Sequence, residues 1–465
     1  MKSKIKNAFE KTDVGNAERF SEKFMNRLMF VPEQGKWYQF CSHCWEVDMS
    51  RQVVLAAVSI TKDMFTEAKD LRVQAAKETD NSQSSVMTKI AESLDRHARA
   101  TQQKGRIEAM IRLAEPMLAK SASYLDSDDM LLGVKNGVID LRKGEFRPGK
   151  QEDLITLRAG VNWVSANAPC PRWLNFLESV QPDPEVRLWI QKLAGYLLTG
   201  RDDEQIFLIF LGNGANGKSV FVEVLKEVIG QYAKTTQFAS FSIGNKSTIR
   251  NDLAGLVKAR MVAASEGGVD TQLDEGIVKQ LTGGDTVSTR FLFQEFFSFR
   301  PNFKVILVTN HEPRIVGTDH GIWRRIRMLP WNVTIPEAQQ DPGLKTKLLQ
   351  EASGILAWAV QGTQMWLRDG LKNRPITIKD AVEFYKEDQD VIAQWLTECC
   401  RYQPNAFAAS KTIYQSYTKW AKSNGHIILS QKSLANQLHA KGLTIDKKGD
   451  RGWRGILVGD TGNEG

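Results

Sequence analysis

Cysteine is scarce in this chain, with five in 465 residues. Spread so thinly, they cannot build the disulfide framework of a small secreted domain, and a reduced cytoplasmic setting is expected. No apolar run approaches the roughly 18 residues that cross a bilayer, so no membrane partner is expected. The opening segment, Met1–Asp13, lacks the apolar stretch of a secretory signal. Internal repeats and low-complexity tracts are missing as well. Only six histidines occur, and none stands in a local signature for a Ser or Cys nucleophile. Cys41-Ser42-His43-Cys44 is half a zinc set at most. Cys170 is remote and Cys399-Cys400 are adjacent, whereas a closed zinc site needs four ligands. That segment reads instead as part of a hairpin beside Trp45.

Apolar residues make up 42% and charged residues 25%, the proportions of a soluble globular protein. The length suggests about three domains. The net charge of +8 is concentrated at one end. Between Arg401 and Ile456 stand ten Lys and Arg against two acids, an excess equal to that of the whole chain. A basic C-terminal module of this kind points toward nucleic acid.

Gly212-Asn213-Gly214-Ala215-Asn216-Gly217-Lys218-Ser219 fits the phosphate-binding pattern G-x-x-x-x-G-K-[ST]. The apolar run 206–211 before it reads as a buried strand. After it, Val220, Phe221, Val224, Leu225 and Val228 recur at helical spacing. Strand, glycine-rich loop and helix is the context that gives the motif its meaning. The glycines let backbone N–H groups approach phosphate. Lys218 supplies a point charge, and Ser219 offers a hydroxyl to Mg²⁺. ATP is therefore the expected ligand, held by residues 212–219 and Val220.

Residues 205–335 alternate strand and helix patterns, as an α/β nucleotide-binding core does. Residues 261–266 read as an apolar strand ending in a single acid, Glu266, a carboxylate placed to hold Mg²⁺ or orient the attacking water. Val287–Phe299 reads as a hairpin with its tip near Gln294-Glu295. The strand ending at Thr309 is followed by Asn310, suited to bonding the γ-phosphate or the water. Trp323-Arg324-Arg325-Ile326-Arg327 offers guanidinium groups that neutralise transition-state charge, often from a neighbouring subunit.

The combination resembles the helicase portion of the phage/plasmid primase–helicase family, with superfamily 3 helicase cores and poxvirus primase–helicases as more distant relatives. It is carried by 212–219, the strand before Glu266, Leu281–Asp285 with Arg290, Val308–Ile315 and Thr318–Pro330. Upstream, 135–156, 167–177 and 193–219 match, as do 12–20 and 381–396. The resemblance implies a hexameric ring that hydrolyses ATP between subunits and draws single-stranded or forked DNA through its pore. Lys218, Glu266 and Asn310 would be catalytic, with Arg324 or Arg325 as a finger acting in trans. The expected fold is α/β and multidomain. Residues 1–130 would be a mostly helical collar or docking domain, and 131–200 a hairpin and helical segment leading into the motor. Residues 201–375 would be an AAA+-like core of parallel sheet and flanking helices, and 376–465 a basic winged-helix-like domain.

Two departures stand out. Where relatives carry Arg-x-Leu-Tyr-Lys in the pore hairpin, this chain has Arg290-Phe291-Leu292-Phe293-Gln294. DNA binding is thus expected from Arg290, Phe293, Gln294, Arg300 and Lys304, with Lys432, Lys447, Lys448, Arg451 and Arg454 in the basic module. No acidic triad for a primase is evident in the first 130 residues. Primase activity is expected from a separate primase or polymerase partner, in a bacterial host cell. Two rival functions remain open: a DNA-binding initiator ATPase without processive unwinding, and a protein-remodelling ATPase.

Overall fold

The computed structural model describes residues 9–243, 251–265, 271–291, 295–317, 320–446 and 451–459. Glu266, Phe293, Gln294, Lys447 and Lys448 lie outside the described residues. The centre is a parallel sheet of five strands: Phe207–Leu211 (β1), Ala233–Gln237 (β2), Met261–Ser265 (β3), Lys304–Thr309 (β4) and Ile326–Pro330 (β5). Their order is β5-β1-β4-β3-β2. A strand covered on both faces must be apolar along its length, and the β1 sequence Phe-Leu-Ile-Phe-Leu satisfies that. Its side chains alternate between two cores. Leu208 and Phe210 pack with the helices Pro171–Val180, Pro184–Leu198, Lys218–Ile229 and Ala352–Asp369. Phe207 and Ile209 pack on the other face with Phe241, Ile322 and Tyr385.

The segment 131–200 is continuous with this core. Its three-stranded meander, Leu131–Val134, Gly137–Asp140 and Glu145–Arg147, sends Leu132 and Ile139 into the same cluster as Leu208 and Phe221. The helix Ile376–Gln389 also packs on the central sheet, with Val382 and Tyr385 in the second core. The expected hairpin at 287–299 is present as Val287–Thr289 paired antiparallel with Phe297–Phe299.

The N-terminal region is mostly helical. Helices Asp13–Phe24, Gln52–Lys77, Asn81–Thr101 and Lys104–Ala114 close over Phe20, Ile60, Met64, Leu94 and Met110. A three-stranded antiparallel sheet over 28–47 places Cys41 opposite Cys44, a hairpin as read from sequence. The polar stretch around 76–105 forms a helix capped by Asp80, whose carboxylate accepts from Ser82 N at 2.8 Å. Ala91, Leu94 and Ala98 give it a narrow buried stripe.

The C-terminal module runs helix Val391–Cys399, strand Cys400–Ala409, helices Ser410–Ser423 and Gln431–Ala440, then strands Thr444–Asp446 and Gly452–Val458. The last strand lies between the other two. That is winged-helix topology. Trp395, Tyr417, Trp420 and Trp453 are buried in its core, with Tyr414 partly buried beside them.

Candidate active site

The phosphate loop follows β1 at the carboxyl edge of the sheet, where α/β folds bind ligands. It is braced from behind. A Cβ on Gly212 would lie 2.4 Å from the Trp331 carbonyl oxygen. Asn216, buried, donates to that same carbonyl at 3.1 Å, and Ile335 N donates to the Ala215 carbonyl at 2.8 Å. Gly217 has φ +82°, and a Cβ there would come within 2.7 Å of Val180. Glycine alone meets both demands cheaply. Asn213, Ala215 and Ser219 are exposed, and Val220 is half-buried.

Lys218 opens the helix Lys218–Ile229, yet its side chain is only 3% exposed. Its ammonium donates to the Gly212 carbonyl and to Asn310 Oδ1 at 3.1 Å. Residues 92 positions apart thus meet, because β4 lies directly beside β1 in the sheet. The Thr309 hydroxyl accepts from His311 N at 3.1 Å and donates to the His311 carbonyl at 2.7 Å, tightening the turn that presents Asn310. β3 lies beside β4 and ends at Ser265, one residue before Glu266.

A cleft of about 470 Å³ gathers 214–220, Ala263–Ser265, Val308–Asn310, Thr235, Glu223 and Lys226. Glu223, Lys226 and Thr235 were not anticipated. For Glu223 and Lys226 the sequence signal is that 219, 223 and 226 share one face of the loop's helix, whereas Thr235, on β2, carries none. Lys226, at 2.7 Å, holds the Glu223 carboxyl below its ordinary range, and Lys345 at 3.3 Å helps. The cleft suits a polyphosphate: backbone N–H groups at a helix start, a buried ammonium and an exposed hydroxyl converge there.

Arg324 and Arg325, equivalent in sequence, part company in space. Arg325 is buried, donating from Nε to the Thr282 hydroxyl at 3.0 Å and to the Gly321 carbonyl at 2.7 Å. It braces the fold from within. Arg324 is exposed. It precedes β5 at the amino edge of the sheet, opposite the phosphate loop.

Lys304 is a correction to the expected DNA-binding set. It is 2% exposed, donates to the Thr199 and Arg201 carbonyls, and sits 4.6 Å from the Tyr196 ring centre. Burial holds its amine well below the usual lysine range. Nothing in an apolar-to-basic strand pattern distinguishes a lysine turned inward onto carbonyls. Arg300 remains exposed and pairs with Asp202 at 2.9 Å. Arg290 lies over the exposed Phe296 ring at 4.6 Å, and Phe291 stacks on Phe297. Lys432 and Arg451 are exposed on the winged helix, where Arg454 pairs with Asp446 at 2.6 Å. Among the described residues no cluster of three or more His, Cys, Asp or Glu is placed to hold a metal ion, and no helix is long and apolar enough to cross a membrane.

The sheet order and the loop after β1 define an α/β P-loop core of AAA+ type. A family model described as "D5 N terminal like" matches residues 17–182, and one described as a family of unknown function matches 210–325. A protein of Acanthamoeba polyphaga mimivirus, named a putative helicase, is 27% identical over 92% of this chain and 47% of its own length. A putative helicase of Frog virus 3 is 22% identical over 72% of this chain and 43% of its own. A putative primase of African swine fever virus is 24% identical over 68% and 36%. The chain is thus related to the primase–helicase family. It spans less than half the length of these relatives. The apo structure of the NrS-1 C-terminal region has the same fold, with a TM-score of 0.51, 13% identity, and coverage of 97% of this chain and all of that one.

Proposed function

We propose that this chain is an ATP-driven, ring-forming DNA helicase acting in replication, with single-stranded or forked DNA as its track. The observation that carries the reading is the bond between Lys218 and Asn310 inside a cleft lined by the phosphate loop and the end of β3. An ATPase needs a cation on the β- and γ-phosphates and a polar group on the γ-phosphate or the water, and these are the two groups that meet.

In this reading ATP lies along 212–220 of one subunit. Lys218 turns from Gly212 to the phosphate oxygens. Glu266 takes the proton of the attacking water, and Asn310 orients it. Mg²⁺ would be held by Ser219 and Glu266 and would supply charge neutralisation. Arg324 reaches the γ-phosphate from the neighbouring subunit of a homo-hexamer. Displacement of β4 on hydrolysis moves the 287–299 hairpin, because Phe299 and Lys304 are joined by only four residues. A separate primase or polymerase is the proposed partner.

The test is ATP hydrolysis with and without single-stranded DNA, alongside mass by light scattering. A hexamer-sized particle strongly stimulated by DNA supports the translocating ring. Hydrolysis indifferent to DNA would overturn it. The winged helix with its basic surface favours one alternative, a duplex-binding initiator. Sequence-selective duplex binding without strand displacement would establish that alternative.

A further inference from the structure

β5 is the outer strand of the sheet on the β1 side, and among the described residues no other strand pairs with its free edge. Arg327 is its second residue and lies in register with Leu208, near the amino end of β1. Along β5, Met328 packs in the second core and Leu329 in the first. Alternation therefore puts Arg327 on the same face as Leu329, the face that the loop after helix Ala352–Asp369 crosses. That loop carries Arg374.

The Arg327 guanidinium lies against the backbone of Arg324, donating to the Arg324 carbonyl at 2.7 Å and to the Ile326 carbonyl at 2.9 Å. Its Nε is buried and, among the described residues, has no hydrogen-bond partner. The same holds for Nε of Arg374. Burial first, and the charge of Arg374 second, push Arg327 down to about 10. Glu204, the acid whose charge acts on Arg327, has one carboxylate oxygen occupied by Trp366 Nε1 and Leu371 N, both at 3.0 Å. Two half-buried guanidinium groups of like charge, each with an unmet donor, are costly unless an anion joins them.

The anion cannot be the subunit's own nucleotide. Arg327 is three residues short of Pro330, which pairs with Leu211 just before the phosphate loop. At about 3.3 Å per residue, that is roughly 10 Å back from the carboxyl edge. We infer that Arg327 and Arg374 form a second cationic pair beside Arg324 and receive phosphate oxygens of ATP bound to the neighbouring subunit. The arginine finger is then a cluster of three: Arg324 exposed, Arg327 touching its backbone, and Arg374 supplied by a separate loop. This rests on the ring ATPase reading above.

Arg374 is the cleaner probe, since among the described residues no acceptor is bonded to its Nε. Arg374→Gln is expected to melt within a few degrees of wild type and to lose about tenfold or more of its DNA-stimulated ATP turnover. Arg374→Lys should recover part of that loss. Mixing inactive Arg374→Gln with Lys218→Ala subunits should restore turnover, because some interfaces then pair an intact loop with an intact Arg374. Arg324→Ala mixed with Lys218→Ala is the control. Complementation by Arg324→Ala but not by Arg374→Gln, or full turnover in Arg374→Gln alone, overturns the inference and leaves the ring reading standing. A wild-type protein without ATPase activity, or no complementation with Arg324→Ala, overturns both.

Discussion

At the scale of single residues, burial separates groups that sequence leaves alike. Lys218 and Lys304 are both buried lysines, but one faces a cleft with Asn310 and the other faces main-chain carbonyls. Lys218→Ala is expected to abolish phosphate release, and a variant that still turns over would place the site elsewhere. Arg324→Ala should keep its melting temperature and lose activity. Arg325→Ala removes the buried guanidinium that donates to the Thr282 hydroxyl and the Gly321 carbonyl, and should lose about 1–3 kcal/mol of stability, read by denaturant unfolding. His97 gives a pH signature. It is buried against Asn16, 2.8 Å from Nε2 to Oδ1, and burial lowers it below the ordinary histidine value. The folded form resists protonation, so its stability is intact above about pH 6.5 and falls as pH drops through that value. Thermal melting at pH 7.5 and 5.5 should show the fall, and His97→Gln should reduce it.

At the scale of elements, β4 runs between the proposed nucleotide site and the proposed DNA-contacting hairpin. Asn310 follows one end and Lys304 starts the other, with Arg300 just before it. Lys304 ties that end to the turn at Thr199 and Arg201, and the neighbouring Arg260 donates to the Leu198 and Leu131 carbonyls. The base of the strand is therefore held to the helical segment while its tip faces the cleft. Lys304→Met should unfold more easily by about 1–3 kcal/mol without changing DNA affinity. Arg300→Ala should do the reverse, weakening DNA binding with little loss of stability, since its exposed pair with Asp202 contributes little. Fluorescence anisotropy and denaturant melts on both proteins would separate the two roles. Equal effects on DNA affinity would refute the assignment of Lys304 to the interior.

At the scale of the whole molecule, the core of the central sheet absorbs the segment 131–200, and the helix Ile376–Gln389 links it to the winged helix. Tyr385 donates to the Pro313 carbonyl, and Ile315 N donates to Gln389. Asp390 then pairs with Lys441 at 2.6 Å. The chain after Asn310 is thus attached to the domain bearing the basic charge. Duplex binding should weaken steeply with salt. Replacing Lys432 and Arg451 by Ala should lower the slope of log affinity against log salt by about one for each phosphate left without its cation. An unchanged slope would take the winged helix off the DNA.

Local rules made much of this legible in the chain. The phosphate loop needs glycines between an apolar strand and an amphipathic helix, and those are contiguous residues. Sequence pattern likewise marked the hairpin at 287–299, and helical spacing of Val220, Phe221, Val224, Leu225 and Val228 marked the helix after the loop. What only the tertiary structure decided concerns residues whose neighbours come from elsewhere in the chain. Sheet order brought Asn310 to Lys218 and carried Arg324 to the opposite edge. Packing turned Arg325 inward onto Thr282 and Lys304 onto distant carbonyls, and set Arg374 near enough to Arg327 for its charge to act there. A side chain's charge is written in sequence, but its solvent and its partners are set by strands and loops that meet only after folding.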